Sequence, residues 1–120
     1  MLLDRYKGFI KELIDATRED KMHWSRGTSP SSFLAVADKR IRILIDTYNA
    51  QVDNSVNSCI NLAIFDGLAN IPVEEMVICD QAAGQIEDYH LISELYQLAK
   101  MQYSDKAVSP ILTEITRSLR

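Results

Sequence analysis

Between Arg40 and Cys79 the apolar residues recur at every second position, whereas on either side they recur at every third or fourth position. Alternation lines one face of a strand, and a spacing of three to four lines one face of a helix. We therefore expect an α+β fold with an N-terminal helix, an antiparallel β-meander of four to five strands and two C-terminal helices. At 120 residues, the chain is expected to form a single domain, 1–120.

The first helix is predicted by an apolar stripe with charged residues opposite it. Those charges are of both signs, which is typical of a helix that docks on a core rather than on a membrane surface. A short strand near 22–25, a loop of turn-forming residues and a second strand at 33–37 are expected to follow. The stripe consists of Leu2, Leu3, Tyr6, Phe9, Ile10, Leu13, Ile14 and Thr17.

The two central strands are predicted to form a hairpin. If Tyr48 pairs with Ser55 around the polar stretch 49–54, Ile43 lies opposite Ile60. This register places the large aliphatic side chains of both strands on one side of the sheet.

A second hairpin is predicted around 67–71. Pairing Asp66 with Pro72 places Leu62 opposite Met76, whereas a shift by one residue would place Glu75 opposite Leu62 in the core. The first register is therefore favoured. Together the two hairpins predict one buried face, made of Ile43, Ile45, Ile60, Leu62 and Ile78.

The opposite face of this sheet is more apolar than a face in water usually is. It holds Arg42, Leu44, Cys59, Asn61, Ala63, Phe65, Val73, Val77 and Cys79. Two alternatives follow: helices on both sides cover it, or it binds another protein or a second copy of the chain. On the second alternative, the candidate partner-binding residues of this face are Arg42, Leu44, Phe65 and Val77.

The last third of the chain has helical spacing, first over about 87–103 and then from Ser109-Pro110 as N-cap and first helical residue. Tyr89, Tyr96 and Tyr103 form a row on the first of these helices. The row is either a recognition surface, because tyrosine joins a rigid ring to a hydroxyl, or part of the packing against the sheet or the last helix. The three tyrosines are therefore candidate partner-binding residues as well.

The favoured pairing makes Cys59 and Cys79 lateral neighbours, with Cα atoms about 4.5–5.5 Å apart. We expect both to be reduced thiols, because a reducing cytosol opposes structural disulfides. His23 and His90 have no ligand partners at metal-binding spacing, so no metal and no cofactor are expected.

Catalytic signatures are absent from the sequence: it has no nucleophile elbow, phosphate-binding loop or dinucleotide-binding motif. Acidic residues around the second hairpin are expected to guard a strand edge rather than form a hydrolytic or cation site. We therefore predict no catalytic residue. The acidic residues are Asp66, Glu74, Glu75 and Asp80.

Charge and hydropathy limit the partners. A net charge of −4 argues against affinity for nucleic acid, which requires clustered lysine and arginine. The first turns carry charges and no apolar run approaches the length of a membrane span, so neither a signal peptide nor a membrane partner is expected. These features predict a cytoplasmic protein.

The run 13–17 with Lys21 and Trp24, the β-meander, the run 94–100 and a final helix with Ile111 and Ile115 resemble small stand-alone bacterial proteins of uncharacterised function. The resemblance spans most of the chain and rests on apolar and structural residues, so it implies a fold and no catalytic residue. Proteins of this kind are often accessory components of mobile elements or bacterial conflict systems.

Two functions are predicted from these features. The first is a non-enzymatic protein-interaction module, such as an immunity protein, antitoxin, inhibitor or adaptor, and the lack of a convergent polar cluster favours it. The alternative is a small-ligand sensor or minor enzyme with a pocket between the sheet and the C-terminal helices, near Trp24 and Tyr96.

Overall fold

A computed structural model describes residues 4–52, 54–80 and 85–119. The strands form one antiparallel sheet in the order β1-β2-β3-β4-β5. The predicted α+β class is confirmed, with one helix before the meander and helical structure after it. The elements are α1 (Asp4–Arg18), β1 (Trp24–Arg26), β2 (Ser32–Ala37), β3 (Ile41–Val52), β4 (Ser55–Asp66), β5 (Glu74–Cys79) and α2 (Ile86–Ser118).

A tight turn connects β2 to β3. Asp38 and Lys39 have positive φ angles of 52° and 60°. The N–H of Arg40 donates to the carbonyl of Ala37 at 3.3 Å, which closes the turn. Two consecutive left-handed residues match the twist of the flanking strands, so this turn suits a hairpin.

The β3–β4 register differs from the predicted one. Ile43 lies opposite Ile64 and not opposite Ile60, and Tyr48 lies opposite Cys59. The displacement is an even number of residues, so every side chain stays on its predicted face of the sheet. The predicted pairing was wrong, but the predicted division into two faces was right.

A shorter connection explains this register. The ladder continues to the pair Val52 and Ser55, so only residues 53 and 54 join β3 to β4. Asn54 has a φ of 65°, a left-handed conformation that asparagine tolerates better than most residues. The polar stretch 49–54, predicted as a loop, is therefore mostly strand.

The β4–β5 register is the predicted one, with Ile60 opposite Ile78 and Leu62 opposite Met76. The predicted buried face is also confirmed, because each of its members is at most 4% exposed. Those members are Ile43, Ile45, Ile60, Leu62 and Ile78.

Both helices cover this buried face. α1 and α2 contact each other, and α2 contacts β1, β4 and β5. Their buried side chains belong to the same apolar cluster as the inward side chains of the sheet. The helical members of the core are Ile10, Leu13 and Ile14 from α1 and Ile92, Leu95, Tyr96 and Ala99 from α2.

Trp24 joins three elements at one edge of the core. Its indole Nε1 donates to Thr17 Oγ1 at 3.0 Å, and its backbone N–H donates to Gln102 Oε1 at 2.7 Å. β1 is therefore tied to both helices, which satisfies the polar atoms of a residue that is only 3% exposed.

α2 is one helix of 33 residues, where two helices were predicted. Pro110 lies inside it rather than at the start of a new helix. A proline disfavours helical backbone at the residue before it, which favours a break in the helix. A separate last helix, however, would need a surface on which to bury its apolar edge. Among the described residues the core face is already filled by α1 and the first half of α2, so no room remains on that face for a further helix.

The centre of the buried face yields a stability prediction. Leu62→Ala removes a fully buried side chain on the interior strand β4, and we expect the free energy of unfolding to fall by about 2–5 kcal/mol. Val56→Ala is the control, because Val56 lies on the same strand and is 67% exposed; its effect should stay within about 0.5 kcal/mol. Equal effects of the two variants in denaturant titrations would contradict the assignment of Leu62 to the core.

Candidate functional site

The sheet face opposite the helices, here called the outer face, is covered by neither described helix. Val36 is 57% exposed, Tyr48 is 42% exposed and Val77 is 46% exposed. Their direct cross-strand partners are Arg42, Cys59 and Asn61, and the half-buried Leu44 and Phe65 lie on the same face. Four of the predicted partner-binding residues lie on this face: Arg42, Leu44, Phe65 and Val77.

Two residues of the outer face were missed by the sequence reasoning. Val36 pairs with Arg42, so the two side chains lie on the same face. Tyr48 is an even number of residues from Arg42 along β3 and lies on that face too. The signal was present, because extending the alternation of β3 to its end and across to β2 assigns both residues to this face.

Arg42 organises one corner of the outer face. Its guanidinium carbon lies 4.9 Å from the ring centroid of Phe65. Nε donates to the carbonyl of Gly67 at 2.9 Å, and Nη2 donates to the carbonyl of Ala69 at 2.6 Å. The charge of Arg42 is therefore used to hold the β4–β5 loop against the sheet. Beside this anchor the loop exposes three large apolar residues: Leu68, Ile71 and Val73.

A disulfide joins Cys59 and Cys79 on the outer face, with Cα atoms 4.0 Å apart. The predicted adjacency is confirmed, but the prediction of reduced thiols is wrong for this structure. The N–H of Asp80 donates to the carbonyl of Ser58 at 2.9 Å, so the next pair inward is a non-hydrogen-bonded pair. Cα atoms and side chains approach most closely in such pairs, which brings the two sulfurs together.

The tyrosine row of α2 lies on the helix side of the sheet, not on the outer face. Phe33 packs between two of its members, with ring centroids 5.5 Å from Tyr96 and 5.7 Å from Tyr103. Tyr89 is half-buried against the same core. The structure therefore favours packing as the role of the row and does not bring these tyrosines together with the outer-face residues.

Tyr96 is the most buried member of the row, at 7% exposed. Its hydroxyl donates to the carbonyl of Ser31 at 2.8 Å. Desolvation, with a smaller contribution from the Asp46 carboxylate, raises the pKa of Tyr96 above its ordinary value, and Arg26 partly offsets the rise. The phenol is therefore held neutral as a hydrogen-bond donor that ties α2 to the β1–β2 loop.

The acidic residues around the β4–β5 hairpin serve separate structural contacts. Asp66 pairs with Arg40 at 2.7 Å, and Glu74 accepts a hydrogen bond from the Tyr6 hydroxyl at 2.5 Å. Asp80 accepts a hydrogen bond from the backbone of Ser58. They do not converge on one point. Across the described ranges no group of three histidine, cysteine or acidic residues could hold a metal ion, and no described helix is long and apolar enough to cross a membrane.

The last part of α2 is a second exposed apolar surface, here called the C-terminal arm and comprising residues 105–119. All of its residues are exposed. The sequence pattern predicted an apolar edge for a closing helix. That edge is present, but no described residue covers it. Its members are Val108, Ile111, Leu112, Ile115 and Leu119.

No protein-family model, curated protein or solved structure matches this chain. The helix, meander and helix implied by the resemblance to small bacterial proteins are present, but no match supports a bacterial origin or a family.

The disulfide yields a prediction about stability. It closes a loop of 20 residues in sequence, and such a cross-link typically stabilises the folded chain by about 3 kcal/mol relative to the open unfolded chain. Cys79→Ser, at a half-buried position, should lose that amount in denaturant titrations under oxidising conditions. With a reductant present, wild type and variant should converge. Two free thiols in the untreated native protein, measured with a thiol reagent, would contradict the cross-link.

Tyr96 yields a prediction about pH. Because its pKa is raised in the folded state, its contribution to stability is complete below the unfolded value of 10.0 and is lost as the pH rises through the folded value. Tyr96→Phe should lose about 1 kcal/mol at neutral pH through the missing hydrogen bond to Ser31, and its stability should fall less steeply above about pH 10. Tyr48→Phe, at an exposed position, is the control and should change the stability at neutral pH by no more than about 0.5 kcal/mol. Parallel curves for wild type and Tyr96→Phe would refute the coupling.

Proposed function

We propose that this protein is a non-enzymatic protein-interaction module whose outer face binds another protein chain. The observation that carries the proposal is the placement of both helices on one side of the sheet, which leaves Val36, Tyr48 and Val77 exposed on the other. Exposed apolar side chains grouped on one face of a sheet often mark an interface. The proposal assigns no catalytic residue and no cofactor.

The rigidity of the outer face supports the proposal. Arg42 anchors the loop beyond β4, and the Cys59–Cys79 disulfide joins β4 to β5 across the same face. A surface that is already ordered loses less conformational entropy on binding, so more of the contact energy contributes to affinity.

Incomplete hydrogen bonding on β4 gives further support. Within the described chain, the side-chain amide oxygens of Asn57 and Asn61 are buried and have no hydrogen-bond partner. Each unpaired buried acceptor costs about 1–3 kcal/mol. A bound chain that supplies an N–H or O–H donor to a rotated amide would recover part of that energy.

A second copy of this chain is the first partner to test, because a self-complementary apolar patch closes most simply as a two-fold dimer. An immunity, antitoxin, inhibitor or adaptor role in a bacterial accessory or conflict system extends the same proposal to a heterologous partner. The net charge of −4 supports a protein partner over nucleic acid.

A cytoplasmic location stays part of the proposal and has a direct check. Disulfides persist in oxidising compartments and are rare in the cytoplasm, so the oxidation state of Cys59 and Cys79 in the cell reports on the location of the protein. Alkylation of the chain at the moment of cell lysis would report whether Cys59 and Cys79 are reduced in the cell, as a cytoplasmic location requires.

The proposal predicts that negative charge on the outer face abolishes association without unfolding the chain. Val36→Glu and Val77→Glu place a carboxylate at exposed positions, so both variants should stay folded. Each should raise the dissociation constant of the dimer by at least about tenfold in sedimentation equilibrium, because an interface would bury an unpaired charge. Val56→Glu is the matched control, since Val56 is exposed on the other side of β4, and it should associate like wild type.

Two outcomes would overturn the outer-face assignment. In the first, the wild type associates and both outer-face variants associate equally well. The interface would then lie elsewhere, for example on the C-terminal arm. The other is a wild-type chain that is monomeric at all concentrations and keeps no stoichiometric protein on purification from its native host.

A further inference from the structure

A groove on the helix side of the molecule, remote from the outer face, lies between the β1–β2 loop and the middle of α2. Its volume is about 470 Å³, within the range of small-molecule sites. Phe33 and Tyr96, which are 3% and 7% exposed, form its apolar base. The lining from α2 continues through Lys100, Tyr103, Ser104 and Val108.

Two cations border the groove without a carboxylate partner. The guanidinium of Arg26 lies 4.8 Å from the ring centroid of Tyr103, and its Nη1 donates to the carbonyl of Pro30. Neither Arg26 nor Lys100 forms an ion pair within residues 4–52, 54–80 and 85–119. Neither positive charge is therefore paired with a carboxylate at the groove.

The acceptors at the groove are already occupied. The carbonyl of Ser31 accepts from Tyr96, and the carbonyl of Pro30 accepts from Arg26. The nearby carboxylate of Asp46 accepts from Ser31 Oγ at 2.6 Å and from its neighbour's backbone N–H at 2.8 Å, so it is directed into the loop. A ligand would therefore meet mainly hydrogen-bond donors at this groove.

The remaining donors are the other nitrogens of Arg26, the ammonium of Lys100 and the hydroxyls of Tyr103 and Ser104. None of these four groups has a hydrogen-bond acceptor in the described part of the chain. Donors that converge from a strand and a helix, beside an aromatic base, complement an anion that carries an apolar body.

We propose that this groove binds a small organic anion, a carboxylate or phosphate monoester with an apolar or aromatic body. The anionic group lies between Arg26 and Lys100, and the body lies along Phe33 and Val108. This inference does not depend on the proposed protein-binding role, because the groove and the outer face lie on opposite sides of the sheet. The sequence predicted a pocket near Trp24 and Tyr96; this groove is lined by Tyr96 and not by Trp24, and the proposal assigns it a ligand class.

The test is an NMR titration of the full chain labelled with ¹⁵N, using phenyl phosphate and benzoate as probes. We expect saturable shifts confined to amides of 26–33 and 96–108. Phenol lacks the charge and inorganic phosphate lacks the apolar body, so each should bind at least about tenfold more weakly than phenyl phosphate. The ratio of the two aromatic anions identifies whether phosphate or carboxylate is preferred.

Three variants assign the site. Arg26→Gln and Lys100→Gln should each weaken binding of phenyl phosphate by about five- to tenfold, because each removes one charge-assisted hydrogen bond. Lys11→Gln, which removes an exposed lysine on α1, should bind like wild type. Should Arg26→Gln fail to fold, Lys100→Gln carries the test, since the Lys100 side chain is exposed.

The proposal would be overturned by any of three results. These are the absence of saturable shifts with both aromatic anions, shifts centred outside the two groove segments, or equal affinity of wild type and Lys100→Gln. Association through the outer face would be unaffected by all of them, so failure here is distinguishable from failure of the proposed function.

Discussion

The burial of one aliphatic sheet face beneath two helices is the interaction on which the rest of this structure depends. β4 lies second from the β5 edge and supplies the fully buried Ile60 and Leu62, while α1 and α2 close over them from the two ends of the chain. Burial of such side chains contributes about 1.5–3 kcal/mol each, far more than any single polar contact on the surface. Because both helices are used on this face, the outer face of the sheet is left uncovered.

Polar contacts then decide how the elements lock around that core. Trp24 links β1 to both helices, and Tyr96 links α2 to the β1–β2 loop. Each bond satisfies a polar atom of a buried residue, where an unpaired donor would be destabilising. The same contacts place Tyr96 and the loop carbonyl of Ser31 at the groove, so the packing of α2 also shapes the proposed anion site.

The two proposed sites have different chemistry for a physical reason. The outer face consists of strand side chains that point away from the helices, and its aliphatic members are held in place by the backbone ladder. The groove forms where a helix crosses a loop, so side chains of unlike type converge from segments distant in sequence: Arg26 from β1, and Lys100 and Tyr103 from α2. An apolar plane suits another protein, whereas a cleft with unpaired cations suits a small anion.

By itself, the sequence determined the fold class, the order of the elements and the division of the sheet into two faces. Strand alternation is local and survives a change of register by an even number of residues, so Ile43, Leu62 and Phe65 were assigned to the right faces although the β3–β4 pairing was wrong. Four outer-face residues of the candidate site followed from the same alternation.

Only the tertiary structure decided where the helices dock and which groups meet. Both helices lie on one face, Pro110 lies within a continuous α2, and the tyrosine row points inward, because each choice depends on competition for a single apolar surface rather than on local spacing. The pairing of Cys59 with Cys79 followed from the sequence, but their bond did not, and the groove requires segments distant in the chain to meet. Local periodicity reports which side of an element is apolar, but long-range packing determines what that side contacts.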